Sequence, residues 1–183
     1  APWLLIFAVV MGNGGIFCMY SYINPLLVKV SNINPQLISL IMVLAGAGMC
    51  LGNYLGGKLS DKFSPSLIAG YIQLTASISL LAMFFLSSNP ILATILMCVC
   101  TACLFGVSAP QQVLLIENAK GGEMLGASCS QISFNLGNAI GAFVGGLPIT
   151  HGFGYEFTTL PATLFAFIGF LLLMYFYRRY ELH

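Results

Sequence analysis

The stretch "LGNYLGGKLSDKFSP", Leu51 to Pro65, decides the fold of this chain. An apolar run reaches the adjacent glycines Gly56 and Gly57, and Lys58, Asp61 and Lys62 then crowd the next five positions. So abrupt a change marks the place where the chain leaves one medium for another. The rest of the sequence says which medium. It is 58% hydrophobic and 6% charged over 183 residues, against about 25% charged in an ordinary soluble domain. Phe63 to Ile116 contains no Asp, Glu, Lys or Arg, enough for two membrane crossings of about 20 residues each. The chain reads as an all-α integral membrane protein.

Set against turn signals, the charge-free stretches divide into six spans: Trp3–Asn24, Gln36–Gly57, Ser66–Leu86, Pro90–Leu115, Met124–Leu147 and Phe157–Tyr177. The connectors "VSNINP", "KLSDKFSP", "SSNP", "NAKGGE" and "PITHGFGYE" leave no room for a soluble domain between spans. Lys58, Lys62, Lys120, Arg178 and Arg179 fall on one face of such a bundle, and only Lys29 on the other. By the positive-inside rule the first face is cytoplasmic, and both ends of the chain lie on it. The chain opens on "APWLL", without an initiator methionine and without the basic flank and short apolar region of a signal peptide. A piece of a longer protein is therefore expected. Cys18, Cys50, Cys98, Cys100, Cys103 and Cys129 all fall within spans, so Cys100-x-x-Cys103 reads as packing rather than as a metal or redox motif.

With the spans placed, Gly57-Lys58-Leu59-Ser60-Asp61-Lys62 resembles the signature turn of the major facilitator superfamily, although Ser64, Pro65 and Ser66 stand where that signature has glycine and bases. The segments "SAPQQVLLIENAKGGEMLGA" and "SQISFNLGNAIGAFVGG" are similar to the C-terminal half of bacterial arabinose-efflux-permease-like transporters, in the drug:proton antiporter group. The resemblance implies half of a twelve-helix fold built as a 3+3 inverted repeat, with the N-terminal six-helix half absent. It also implies a bacterial inner-membrane efflux transporter working by alternating access, coupled to protons, on a small sugar or drug-like solute. The turn residues Gly57, Leu59, Ser60, Asp61 and Lys62 would then latch one conformation. On physical grounds the glycines are expected to end span two, with Asp61 set beside the positive N-terminus of another helix. The plainer reading is a solvated charged turn.

A short internal repeat agrees with that architecture. "LGNYLG" (51–56) recurs as "LGNAIG" (136–141), inside two glycine ladders, Gly48, Gly52, Gly56 and Gly137, Gly141, Gly145. Small residues at this spacing let helices approach closely in lipid, and repeats in corresponding spans suit inverted topology. In the family, spans two and five meet the opposite half. The ladders are therefore expected to face that half, and to leave grooves open to self-association or amphiphiles if these six spans stand alone.

Polar residues sort by helical period. Asn13, Phe17, Tyr20 and Asn24 share a face of span one; Thr101, Phe105, Ser108 and Gln112 one of span four; Ser128, Gln131, Asn135 and Asn138 one of span five. Polar side chains avoid lipid, so these faces, with Asn53 of span two, are expected to line a wet cavity. Each amide alone reads equally as an interhelical hydrogen bond. Spans three and six, with only Gln73 and scattered hydroxyls, are expected to be outer and lipid-facing. Pro25 and Pro110 remove backbone hydrogen bonds and favour kinks.

His151 and His183 have no partners for a triad or a metal site, and no nucleophile elbow, phosphate loop or basic nucleic-acid patch is present. The expectation is a non-enzyme without cofactor or metal, whose partners are lipid, a small solute and the other half, and not nucleic acid. A six-span channel or a membrane scaffold is the alternative, but no reentrant filter or charged ring is seen.

Overall fold

The computed structural model describes residues 2–119 and 121–181; Lys120 and His183, both weighed above, lie outside them. Six membrane-length helical spans result: α1 (Pro2–Tyr20), α2 (Pro35–Ser60), α3 (Pro65–Leu86), α4 (Pro90–Glu117, in two segments), α5 (Glu123–Thr150) and α6 (Thr159–Phe176). Three of them start alike. Asn34, Ser64 and Asn89 each precede a proline in the first turn and accept from backbone N–H groups: Gln36 (3.0 Å), Leu67 (3.4 Å), and Ile91 and Leu92 (3.0 and 3.3 Å). A cap followed by proline satisfies donors that a helix start otherwise leaves orphaned.

Several boundaries differ from expectation. Gly56 and Gly57 do not end α2, which runs on to Ser60 with Asp61 as its C-cap at an ordinary φ of −70°. Positive φ occurs instead at Asn32, Gly121 and Gly152. Asp61 is exposed, and the N-terminus of α3 receives a different carboxylate: Glu181, beyond α6, accepts from Ser64 and from Ser66 (2.6 Å for the latter). The first span breaks at Ser21–Tyr22, and Ile23–Pro25 leads into a π-helical turn, Leu26–Val30. Pro148 sits within α5 without ending it. In α4 the segments Pro90–Gly106 and Ser108–Glu117 meet at Val107, because Pro110 has no N–H to offer the carbonyl four residues back.

α1 is the central helix, packed between α5 and α6; α2 lies on α4, and α3 lies between α4 and α6. Exchanging α1 with α4, α2 with α5 and α3 with α6 maps this contact scheme onto itself, as a 3+3 inverted repeat requires. The glycine ladders make the two equivalent joints. A Cβ on Gly52 or Gly56 would run into the Ala102 or Gly106 carbonyl of α4, and one on Gly137, Gly141 or Gly145 into the Val10, Gly14 or Cys18 carbonyl of α1. Gly48 faces the Cys98 carbonyl. The ladders thus meet α4 and α1 of this half rather than facing the opposite one, and a hollow of about 270 Å³ remains beside Gly52 and Gly56. Backbone approach of this kind supplies the dispersion contacts that hold helices together where no hydrophobic drive exists.

The outer helices are two-sided. α3 and α6 expose apolar residues such as Ile78, Phe85, Leu164 and Phe167, but their other faces are core. Gln73 is fully buried where α1, α3 and α6 meet, donating to the Gly12 carbonyl (2.8 Å) and packing against Gly169. The least covered spans are α2 and α5. At the end opposite the Asp61 turn, Ser31 donates to the Ser87 carbonyl (2.6 Å) and Lys29 lies over Tyr155 (5.2 Å), tying the loops together.

Candidate functional site

Several uncharged polar side chains gather at one place in this bundle. A cavity of about 150 Å³ lies among α1, α4 and α5, lined by Val9, Phe105, Ser108, Gln111, Ser130, Gln131 and Phe134. Larger hollows exist, including one of about 410 Å³ around Pro148, His151 and Phe157, but their walls are apolar surface of the kind that meets lipid. A ligand site is better marked by convergent polar groups.

An amide pair lies at the cavity wall, with Gln111 lining it and Asn13 behind. Asn13 of α1, fully buried, donates from Nδ2 to Oε1 of Gln111 (3.2 Å), which is 2% exposed. Asn13 Oδ1 and Gln111 Nε2 are buried without partners. Each such group costs about 1–3 kcal/mol if nothing satisfies it. An acceptor and a donor are thus buried without partners beside the cavity. From Phe134 an aromatic path leads along α1: Phe17 is edge-on to it (6.5 Å between centroids), and Tyr20 edge-on to Phe17 (5.8 Å).

Of the residues the sequence singled out, Ser108 and Gln131 line the cavity, Asn13 joins it through Gln111, and Phe17 and Tyr20 join through Phe134. Asn24 does not, because the break at Ser21–Tyr22 takes it off the α1 face and leaves it exposed. Asn53 and Asn135 are exposed, and Asn135 donates to the Gln131 carbonyl (2.9 Å). Asn138 is half-buried with an unpartnered Oδ1. Thr101 bonds back to Cys98 (3.0 Å) and across to Ala45 of α2 (3.4 Å), so it belongs to a helix joint.

Gln112 is half-buried beside the residue that matters, Gln111, which the periodicity passed over. Phe105, Ser108 and Gln111 step by three across the bend at Val107, where the expected stripe stepped by four from Ser108 to Gln112. The sequence signal for that bend was Pro110 itself.

The family model described as Major Facilitator Superfamily matches residues 2–183. The chain is 42% identical over 181 residues to "Putative transporter AraJ" of Escherichia coli (strain K12), covering 99% of this chain and 46% of that protein. It is 37% identical over 163 residues to "Inner membrane transport protein YdhP" of Escherichia coli O157:H7, covering 89% and 42%. It is 25% identical over 160 residues to "Probable sugar efflux transporter" of Helicobacter pylori (strain J99), covering 85% and 38%. The chain thus spans less than half the length of these relatives.

Proposed function

The chain belongs to the major facilitator superfamily, and we propose that it is the C-terminal half of a secondary transporter that exports a small sugar-like or drug-like solute by alternating access. Its six helices form one half of the fold, a multi-pass membrane unit. The observation that carries the proposal is the uncharged polar cavity between α1, α4 and α5, whose lining residues Phe105 and Gln131 reach the surface. Exposed Asn53, Gln131 and Asn135 lie on α2 and α5, the two spans least covered by this half. Amides at such depth belong against water or protein rather than lipid. The opposite half, closing over that side, would complete a wet central cavity between them. The exposed Lys58, Lys62, Arg178 and Arg179 support the reading that the Asp61 turn faces the cytoplasm across a bacterial inner membrane. In the latched conformation Asp61 engages the opposite half, leaving α3 to Glu181.

Energy coupling follows from where the acids are. Asp61, Glu117, Glu123, Glu156 and Glu181 all sit at the ends of spans or in the turns between them, whereas proton coupling needs an ionisable group within the membrane. If the intact transporter is proton-coupled, the opposite half carries it. In proteoliposomes containing the intact transporter, with a proton gradient imposed, Glu117→Gln, Glu123→Gln and Glu156→Gln should each keep gradient-driven solute movement within about twofold of the parent. Loss of coupling in any of the three at unchanged expression would place the carboxylate in this half. Failure of the parent to move any solute of a broad panel would remove the transporter reading altogether.

A further inference from the structure

We propose that the groove between α3 and α6 is a phospholipid site at the end of the bundle opposite the Asp61 turn, with one acyl chain lying in the groove and the phosphate held by Lys29. On the orientation read above, the lipid belongs to the outer leaflet. A base stands here where few are expected: of the six basic residues, Lys29 alone falls at this end. Its ammonium lies over the Tyr155 ring (5.2 Å) and 3.5 Å from the Tyr155 hydroxyl. No carboxylate pairs with it among the described residues, since Glu156, the acid next to Tyr155, folds back against Gly154. An exposed ammonium with three donors and no counter-charge suits a phosphate. Lys29 also stands over the ends of the two helices. Ser31, two residues on, donates to the Ser87 carbonyl that closes α3, and Phe157, two residues past Tyr155, packs edge-on against Phe84 of α3 (5.2 Å).

Beneath that aromatic pair a hollow of about 350 Å³ runs between the helices. The covered Ser77 and Thr163 form its floor, and the exposed Ile78, Leu81, Leu164 and Phe167 rise at its sides. Both floor hydroxyls are already spent: Ser77 donates to the Thr163 carbonyl (3.1 Å) and Thr163 to the Thr159 carbonyl (2.8 Å). The groove therefore rewards an occupant that asks for no hydrogen bond and gives it dispersion contacts on three sides, as an acyl chain needs. It extends from Leu74 to Leu81 on α3 and from Leu160 to Phe167 on α6, about 10 Å at 1.5 Å per residue. That fits within the ~15 Å of hydrocarbon that one leaflet supplies. A second copy of this chain fits less well, because Ile78 and Leu164, 60% and 57% exposed, stand on the two rims and hold a helix backbone away from the small residues between them. The opposite half, closing over α2 and α5, leaves this side to lipid.

The test is native mass spectrometry of the intact transporter in detergent, titrated with a phosphatidylglycerol and, separately, with the diacylglycerol that carries the same chains. Detergent reads the site whichever leaflet it faces, so the result is independent of the orientation and of transport. The first phosphatidylglycerol should bind at least about fivefold more tightly than the diacylglycerol, the effect of one base beside an anionic lipid. Lys29→Gln should abolish that preference and Lys29→Arg keep it. Tyr155→Phe, which leaves the ring under the ammonium, should stay within about twofold of the parent, so that loss in Lys29→Gln is not loss of the loop contact. Ile78→Ala combined with Leu164→Ala lowers both rims and should weaken the two lipids alike by about fivefold or more; Leu171→Ala, exposed on α6 outside the groove, should change neither beyond about twofold. If the double variant does not assemble, Leu164→Trp, which fills the groove instead of flattening it, should show the same loss. Equal binding of the two lipids to the parent, an undiminished preference in Lys29→Gln, or parental affinities in the rim variants would each overturn the proposal. A dimer that Leu164→Trp dissociates would overturn it in favour of a second copy.

Discussion

Gly56→Leu and Gly141→Leu should each prevent assembly of the folded transporter, whereas Gly46→Leu, also in α2, should leave it intact. The contrast follows from what each new side chain meets. At Gly56 it strikes the Gly106 carbonyl, with the carbonyl carbon at 2.7 Å; at Gly141 it strikes that of Gly14, with carbon and Cα both at 2.9 Å. These are backbone atoms of a neighbouring helix and cannot swing aside as a side chain would. Overpacking among side chains costs about 1–3 kcal/mol; separating two helix backbones also loses the contacts along the joint, so the cost belongs with the exceptional substitutions above about 4 kcal/mol. Nothing lies within 4 Å of a Cβ built on Gly46. Monodispersity in size-exclusion chromatography and the thermal midpoint of the purified protein read the difference. Because both joints lie inside this half, the defect should appear equally in the six-helix unit expressed alone. Normal melting of Gly56→Leu would show that the ladder does not close on α4.

The second large effect is expected at Gln73. Gln73→Glu should fail to accumulate in the membrane, while Gln73→Met should accumulate nearly as the parent does. The parent amide donates to the Gly12 carbonyl and leaves its own Oε1 unpartnered, fully buried at the junction of α1, α3 and α6. A carboxylate there replaces the donor with a second acceptor facing the same carbonyl, in a place with no compensating charge. Several kcal/mol oppose that, whether as ion desolvation or as forced protonation. Methionine removes the orphaned acceptor together with one hydrogen bond, and the Gly12 carbonyl stays within the α1 helix, so the cost is that of a single hydrogen bond, about 1 kcal/mol. Equal yields of the two variants would contradict the buried placement.

Gln73 also shows where sequence reasoning stops. A lone amide on an otherwise apolar helix gives no periodic signal, so α3 read as outer and lipid-facing. Yet burial at a three-helix junction depends on Gly12 and Gly169 from two other spans, which no local pattern connects to it. The glycine ladders were legible as grooves, since spacing alone shows that one side of a helix is bare. Spacing does not name the helix that fills the groove, and α4 and α1 do so rather than the opposite half. The six spans were legible because hydrocarbon thickness dictates their length, and the turn at Asp61 because charge marks the exit from lipid. Their ends were not: Gly57 continues α2, where the helix at the membrane edge outweighs glycine's weak propensity. Asn24 lies off the α1 face because helical phase breaks at Ser21–Tyr22, and on α4 Gln111 rather than Gln112 lines the cavity. Glu181 was invisible as a partner of Ser64 and Ser66 because more than a hundred residues separate them.

The central claim is that α1, α4 and α5 present a wetted polar face, while the outer sides of α3 and α6 meet lipid. Single cysteines at Gln131 and Asn135, and at Ile78 and Leu164, in a cysteine-free intact transporter test it through their rates of reaction with a small charged thiol reagent supplied to both sides of the membrane. Cysteines at Gly152 and Ser60 mark the outer and cytoplasmic ends, Gly152 reacting in sealed cells and Ser60 only after permeabilisation. Gln131 and Asn135 should react at rates approaching those two markers, and Ile78 and Leu164 at least about tenfold more slowly, because thiolate chemistry needs water. Equal rates at all four positions, or faster reaction at Ile78 and Leu164, would contradict the account.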